Sequence, residues 1–248
     1  MTTLSVNVNK IALVRNSRDI DRPSVIEAAR VCLEAGAHGI TVHPRPDQRH
    51  IRPGDVTDLK ALLQGTKAEL NIEGNPFAGA EGSYPGFMEI VRRARPAQAT
   101  LVPDDPGQKT SDHGFNMARD AARLKPLVSE LKALGVRVSV FMDPDVAQIS
   151  RVPECGADRI ELYTEPYARA FEQGRTEASL AEFAAAARRA QELGLGVNAG
   201  HDLSLENLGA FLQGVPNVLE VSIGHAIICD ALRMGLAATV KAYLAIVK

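Results

Sequence analysis

The stretch RPSVIEAARVCLEAGAHGITVH, residues 22–43, contains the unit that decides the fold. It begins with a proline near the start of a helical pattern, and that pattern stops at Gly36, which is a typical helix entry and exit. The run GITVH (39–43) follows at once and is short, apolar and rich in β-branched residues, so it predicts a buried strand. The unit is therefore a helix that leads directly into a strand.

The same alternation recurs along the whole chain. We predict eight strands: LSVNV (4–8), GITVH (39–43), ELNIE (69–73), QATLV (98–102), RVSVFM (137–142), DRIELY (158–163), LGVNAG (195–200) and VLEVSI (218–223). Helical patterns lie between them at 22–36, 55–65, 120–135, 179–194 and 204–214, and a final helix is predicted over 226–247. Eight such strands in 248 residues predict an α/β fold, a (β/α)8 TIM barrel. A doubly wound open sheet is the alternative, but the strand count and the even spacing favour closure.

Two connections are longer than the rest. PDDPGQKTSDHGFNMARD follows the fourth strand and TEPYARAFEQGRTEAS follows the sixth. Connections of this length are often lids or binding loops, and extra helices are the alternative. No linker, low-complexity segment or charge block divides the chain, so we predict one domain over residues 1–248.

Composition limits the partners. The net charge of −2 argues against a general nucleic-acid binder, which normally has a basic face. The N-terminus lacks a signal-peptide pattern, and no apolar run reaches the ~18 residues of a membrane span. Cys32, Cys155 and Cys229 are odd in number and widely spaced, so we expect reduced, buried thiols. These features predict a cytoplasmic protein with no nucleic-acid or membrane partner.

Polar side chains follow most of the predicted strands. In a (β/α)8 barrel the chemistry lies at the carboxyl ends of the strands, so we expect these residues to share one rim. Four of the six histidines fall there: His43, His50, His201 and His225. The other candidates are Asn7, Asn9, Lys10, Arg15, Arg18, Arg45, Glu73, Asp143, Glu161, Glu165 and Asn198. Each also has a structural interpretation, such as a histidine that packs a loop or an arginine on the surface.

Glu73 and the last two loops carry the most specific signals. Glu73 ends an apolar strand, where desolvation would raise its pKa and make it suitable as a general base. NAGHD (198–202) and SIGHAII (222–228) each place a glycine at a turn, and a helix starting near Ala226 would direct free N–H groups at an anion. The residues alone therefore predict a barrel enzyme that acts on a phosphorylated small molecule.

Two other functions stay open at this point. A metal-dependent sugar-phosphate isomerase or aldolase could use Glu73, Asp143, Glu161 and a histidine as ligands. However, no HxH or ExxH spacing is found on one element. A metabolite-binding barrel without catalysis is the second alternative.

A set of motifs in a fixed order makes the prediction more specific. VNVNKIALVRNSR, GITVHPRPDQRHI, LNIEGNP, LVPDD, VNAGHDL and IGHAII together resemble the pyridoxine 5′-phosphate synthase family, from Ser5 to the last helix. The resemblance implies a barrel with extra helices that assembles as an octamer. It also implies condensation of 1-deoxy-D-xylulose 5-phosphate with 3-amino-2-oxopropyl phosphate to give pyridoxine 5′-phosphate, phosphate and water. No metal or organic cofactor is implied.

The resemblance also assigns roles to residues. It implies that His43 and Glu73 are general bases and that His201 donates a proton. The aminoketone phosphate would contact Asn7, Arg18, Asp202, Gly224 and His225. The deoxyxylulose phosphate would contact Asn9, Lys10, Arg45, His50 and Thr110.

Three of these positions depart from the commoner pattern of that family. The pattern VNIDHIA is here VNVNKIA, so that Asn9 and Lys10 replace an Asp–His pair. Asp202 stands where glycine is usual. Its carboxylate could cap the next helix, but beside a bound phosphate it would be repulsive. We expect altered contacts rather than lost activity.

Overall fold

Eight parallel strands close into a barrel in chain order, with the eighth strand paired to the first. The computed structural model describes residues 1–18, 20–105 and 107–247. The strands are β1 (Thr3–Asn7), β2 (Gly39–Val42), β3 (Glu69–Gly74), β4 (Gln98–Leu101), β5 (Arg137–Met142), β6 (Arg159–Tyr163), β7 (Gly196–His201) and β8 (Val218–Ile223). The predicted (β/α)8 barrel is confirmed, and the open sheet is excluded because β1 and β8 are hydrogen-bonded.

The helices surround this barrel. Within the described residues they are α1 (Asn9–Asn16), α2 (Val25–Glu34), α3 (Pro53–Leu63), α4 (Phe87–Ala94), α5 (Met117–Ala133), α6 (Val146–Ile149), α7 (Glu165–Glu172), α8 (Thr176–Glu192), α9 (Leu208–Gly214), α10 (His225–Met234) and α11 (Leu236–Ile246), with a short 3₁₀ helix at Val152–Cys155. In the opening stretch, Ser24 caps α2 by accepting the N–H of Glu27. Gly36 ends this helix region with a φ of +105°, a conformation that favours glycine.

Side chains alternate across the barrel wall. Apolar residues such as Leu4, Ile40 and Val140 are fully buried in the core between the strands and the helices. Polar residues face inward and bond across the barrel: Gln98 of β4 donates to Glu220 of β8 at 3.1 Å. The interior is therefore more polar than the consecutive apolar runs suggested. At the carboxyl ends of the strands, this polar interior forms the floor of the candidate site.

Several sequence-based predictions differ from the structure. The helix predicted over 226–247 is broken at Gly235, where a φ of +79° separates α10 from α11. The sixth connection contains the helix α7, which is the extra-helix alternative that the sequence left open. Cys32 and Cys155 are buried as expected, but Cys229 is exposed, because it lies on the outer side of α10. Pro106, in the long fourth connection, lies outside the described residues.

No helix in the described part of the chain is long and apolar enough to cross a membrane.

Candidate active site

A cavity of about 290 Å³ opens at the carboxyl ends of the strands. It brings together eleven of the thirteen predicted site residues: Asn7, Asn9, Lys10, His43, Arg45, His50, Thr110, His201, Asp202, Gly224 and His225. Glu73 is buried directly below the cavity, with its carboxylate 3.8 Å from the Nδ1 of His43. Arg18 is exposed and does not line the cavity in this single chain. The sequence did not single out several other lining residues, notably Lys109, Ser111, Tyr163 and Ser222.

Glu73 is a buried carboxyl group with weak partners. Its side chain is 1% exposed, and it accepts hydrogen bonds from Asn7 Nδ2 and Ser222 Oγ, both at 3.4 Å. Burial, followed by the charge of the nearby Asp104 carboxylate, raises the pKa of Glu73 to about 8. A carboxyl group with a pKa near neutrality can exchange protons under physiological conditions, as the sequence predicted.

His43 lies between two carboxyl groups. Its Nδ1 is 3.8 Å from Glu73 Oε2, and its Nε2 is 3.8 Å from Asp104 Oδ2. The backbone N–H of His43 donates to Asn9 Oδ1 at 2.9 Å, which fixes the residue at the exit of β2. Burial, followed by the charge of Arg45, holds the pKa of His43 well below its usual range. The free imidazole is therefore neutral and able to accept a proton.

The hydrogen bond from His43 explains one departure from the family pattern. Asn9 supplies an amide oxygen as the acceptor, and the carboxylate of an aspartate would supply an equivalent oxygen. The replacement at position 9 therefore keeps the contact that holds His43 in place.

His201 faces a buried carboxyl group on the opposite side of the cavity. Its Nδ1 lies 3.8 Å from Oε1 of Glu161, and neither atom has a hydrogen-bond partner within the described residues. Burial lowers the pKa of His201 to about 4. Burial, together with Glu73 and Glu220, raises the pKa of Glu161 well above its usual range. A small movement of either side chain would therefore allow a protonated Glu161 to donate a hydrogen bond to the neutral imidazole of His201.

The backbone around His201 is shaped to allow this approach. Its φ of +90° is uncommon for a residue with a side chain, and such strain is found most often at functional sites. A Cβ atom at Gly200 would lie 2.7 Å from Glu161 Oε1, so only glycine leaves room for the carboxyl group. The sequence placed Glu161 on this rim only as a metal ligand and missed its position beside His201.

The exit of β2 carries Arg45 and His50, the two residues that were predicted to bind an anion. Arg45 is buried and forms an ion pair with Asp104. The Nδ1 of His50 accepts the N–H of Ile51 at 2.9 Å, so its Nε2 carries the proton of the neutral ring. Burial and then the charge of Arg45 lower the pKa of His50 to about 3. In the free protein His50 is thus a neutral hydrogen-bond donor, and Arg45 supplies the charge.

Arg15 supports this loop from below. Its guanidinium donates to Asp55 Oδ2 at 2.9 Å and to the carbonyl of His50 at 3.2 Å. The side chain is 6% exposed and does not line the cavity. The sequence left open whether Arg15 acts at the site or lies on the surface; the structure shows a buried residue that positions the loop.

The start of α10 forms the other end of the cavity. Its first intrahelical bond runs from the N–H of Ile228 to the carbonyl of Gly224, which leaves the N–H groups of residues 225–227 without helical partners. A Cβ atom at Gly224 would lie 3.0 Å from the side chain of Asn7, so glycine allows the close approach of β1 and β8. This helix start is suited to an anion.

Asp202 does not cap the following helix. That helix, α9, begins at Leu208 with Asn207 at its N-cap, five residues further on. The N–H of Asp202 donates to Thr164 Oγ1 at 3.3 Å, and its carbonyl accepts from Asn207 Nδ2 at 3.2 Å. The backbone of Asp202 is therefore fixed by neighbouring loops, while its exposed carboxylate lines the cavity.

The donors of the alternative metal site do not gather. In residues 1–18, 20–105 and 107–247, no three His, Cys, Asp or Glu side chains are placed to hold a metal ion. Asp143, one of the four suggested ligands, is absent from the described lining of the cavity and accepts a hydrogen bond from the backbone of Gly114.

Fold and site together define a (β/α)8-barrel protein with a buried acid–base cluster at the carboxyl ends of its strands. The fold alone is shared with 3-keto-L-gulonate-6-phosphate decarboxylase from Vibrio cholerae, at a TM-score of 0.65 and 11% identity over 99% of this chain and 97% of that one. A family model described as "Pyridoxal phosphate biosynthesis protein PdxJ" matches residues 4–248. The chain belongs to this family.

Two relatives also match the chain over nearly its full length. The chain is 61% identical to pyridoxine 5′-phosphate synthase from Xanthomonas campestris pv. campestris (strain B100) over 246 residues, which are 99% of this chain and 96% of the relative. It is 59% identical to the protein of the same name from Xanthomonas oryzae pv. oryzae (strain PXO99A) over 247 residues, covering 100% and 97% of the two chains.

Proposed function

We propose that the chain condenses 1-deoxy-D-xylulose 5-phosphate with 3-amino-2-oxopropyl phosphate to give pyridoxine 5′-phosphate, phosphate and water. One observation carries the proposal: His43, Glu73 and His201 converge on one cavity that also holds anion-binding groups. A condensation that joins an amine to a ketone, expels water and phosphate and forms an aromatic ring moves a proton at every step. Several proton-exchanging groups around one cavity meet that demand.

The roles of the three residues follow from their surroundings. Glu73 and His43 act as bases at the floor of the cavity, where their nearest atoms lie 3.8 Å apart. His201 acts as the proton donor, and Glu161 behind it replaces the proton that it gives away. Holding both substrates in one cavity makes the condensation effectively intramolecular.

Two phosphate groups need two separate sites. The first is at the exit of β2, where the cavity is lined by Arg45 and His50, together with Lys10 and Thr110. The second is at the start of α10, where Gly224 and His225 present the helix N-terminus and Asn7 lies beside them. A guanidinium and a helix N-terminus are two different ways to bind phosphate.

Substrate binding also prepares the histidines. In the free protein the pKa of His201 is about 4, because the ring is buried near positive charges. A phosphate dianion raises the pKa of a nearby histidine because it stabilises the imidazolium. His201 is therefore protonated once both substrates are bound, but is neutral in the free protein.

A turnover assay tests the proposal. The purified protein is mixed with both substrates in the presence of a chelator, and the pyridine product is followed by absorbance together with released phosphate. We expect one phosphate for each pyridine. Absence of product from folded protein would contradict the synthase, and product that forms only after metal is added back would show that the condensation needs a metal ion.

The assembly and the location of the protein are further parts of the proposal. We propose a single-domain chain that assembles as an octamer in the cytoplasm, in line with the family resemblance. Arg18 stays a proposed contact for the aminoketone phosphate, although its side chain does not reach the cavity of its own chain. Size-exclusion chromatography with light scattering tests the octamer, and a mass well below eight chains would contradict it.

A further inference from the structure

Asp104 is a buried carboxylate in contact with Arg45 and Ser111, which line the cavity, and the sequence did not identify it as a site residue. It follows β4, is 4% exposed and forms an ion pair with Arg45. Its Oδ2 also accepts a hydrogen bond from Ser111 Oγ at 2.8 Å and lies 3.8 Å from Nε2 of His43. This oxygen thus contacts Arg45, the proposed phosphate-binding residue, and Ser111 of the fourth loop. It also lies close to His43, a proposed base.

The other oxygen of Asp104 has no partner. Oδ1 is buried and accepts no hydrogen bond within the described residues. A buried carboxylate without full solvation is costly, so its charge must be balanced by its neighbours. Arg45 is the cation that does so, and it is the same guanidinium that the proposed function assigns to a phosphate.

We propose that Asp104 is a positioning residue of this site: it holds the guanidinium of Arg45 at the phosphate position and places a negative charge beside the two bases. The inference rests on the proposed function, because it concerns how the bases and the phosphate contact of that reaction are prepared. Asp104 itself does not line the active-site cavity, so it acts through Arg45 and the bases.

The hydrogen bond explains the first part. Free arginine side chains have several rotatable bonds, and an ion pair with a buried, fixed carboxylate selects one geometry before substrate arrives. The backbone of Asp104 is fixed in turn, since its carbonyl accepts from Asn75 Nδ2 at 2.8 Å. Ser111 joins the same oxygen to the loop that carries Thr110.

The charge explains the second part. A negative charge close to Glu73 makes its carboxyl group harder to ionise and therefore a stronger base once ionised. Asp104 contributes to the raised pKa of Glu73 after burial, and Arg45 opposes it. The charged and titratable groups facing Glu73 and Asp104 from the surrounding strands and loops are His43, Arg45, His113, Glu161 and Glu220. Of these, Arg45 is paired directly with Asp104.

Two substitutions separate the two effects. Asp104→Asn removes the charge but keeps an oxygen that accepts from Arg45, whereas Asp104→Ala removes both. We expect both variants to move the rising limb of kcat/KM against pH to lower pH, by roughly half to one pH unit. Asp104→Ala is expected to raise the KM for deoxyxylulose phosphate by about tenfold or more, and Asp104→Asn by less than about threefold.

Asp105→Asn is the matched control. It makes the same chemical change one residue further along, at an exposed position that does not line the active-site cavity. We expect it to leave the pH midpoint and the KM unchanged. A purely structural role for Asp104 would lower kcat in both variants without moving the midpoint.

The outcomes distinguish this inference from the function on which it rests. An active wild-type protein whose Asp104→Asn variant keeps the wild-type midpoint would overturn the electrostatic role. An Asp104→Ala variant with a wild-type KM would overturn the positioning of Arg45. A folded wild-type protein that makes no pyridine would instead contradict the synthase and remove the basis for both.

Discussion

Replacing Glu73 by glutamine should make the protein more stable at alkaline pH. Glu73 is buried, and its folded-state pKa of about 8 lies above the usual value of 4.5. Between these two values the folded protein keeps a proton that the unfolded chain releases. Stability attributable to this group is therefore complete below about pH 4.5 and is lost as the pH rises to about 8.

The size of the loss follows from the same two values. They differ by about 3.5 pH units, and each unit corresponds to ~1.4 kcal/mol, so full ionisation of Glu73 costs on the order of 5 kcal/mol. Glutamine has the same shape and cannot ionise. Asn7 Nδ2 donates to one carboxyl oxygen and Ser222 Oγ to the other. The amide oxygen of glutamine can accept from Asn7, and its amide N–H can donate to the Ser222 hydroxyl, which also accepts.

Urea denaturation at a fixed protein concentration and at several pH values measures this effect. Relative to the wild type, Glu73→Gln should gain stability steadily from pH 5 to pH 8.5, while turnover is lost at every pH. The control is Glu182→Gln, an exposed residue on α8, which should show no such trend. A stability difference that does not change with pH would refute the raised pKa of Glu73.

Three further predictions concern individual side chains. The ring signals of His201 in the ligand-free protein should remain those of the neutral form down to about pH 5, because the pKa is lowered to about 4; an NMR midpoint near 6.5 would contradict its burial. Asn9→Asp should lower kcat far less than Asn9→Leu, since only the leucine removes the acceptor of the His43 N–H; equal losses in steady-state assays would show that this contact is unimportant. Arg15→Met should lower the free energy of unfolding by about 2 kcal/mol, because it removes the guanidinium that is paired with half-buried Asp55 and bonded to the His50 carbonyl. Exposed Arg188→Met is the control, and equal denaturation midpoints for the two variants would argue against the support role.

The barrel was predictable from the sequence because its signals are local. Each helix-ending glycine is followed by a short β-rich run, and the strand bounds lie close to the predicted ones. The break at Gly235 was not predicted because the apolar pattern continues across the glycine. Only the positive φ of Gly235 separates α10 from α11. The helix α1 was missed because it buries only Ala12 and Arg15, which gives almost no apolar periodicity. By contrast, FMEIVRRA of α4 carries a helical apolar face, so this helix was predictable from the sequence although it was not predicted.

The candidate site was predictable in its membership but not in its pairings. The position of His43, Glu73 and His201 after strands places them on one rim, and the family motifs add their roles. Which carboxyl group faces which histidine depends on the closure of the barrel, since Glu161 and His201 come from neighbouring strands and lie 40 residues apart in sequence. The ion pair between Arg45 and Asp104 likewise joins two loops that are distant in sequence, those that follow β2 and β4. Such contacts leave no trace in local patterns.

The most direct test of the central claim is a crystal structure of the protein with pyridoxine 5′-phosphate bound. The account predicts that the pyridine ring lies in the 290 Å³ cavity, within hydrogen-bonding reach of Glu73 or His43 on one side and His201 on the other. Its phosphate should contact either Arg45 and Thr110 or the start of α10. Product bound elsewhere, for example at the opposite end of the barrel beside His38 and Arg159, would contradict the assignment of the active site.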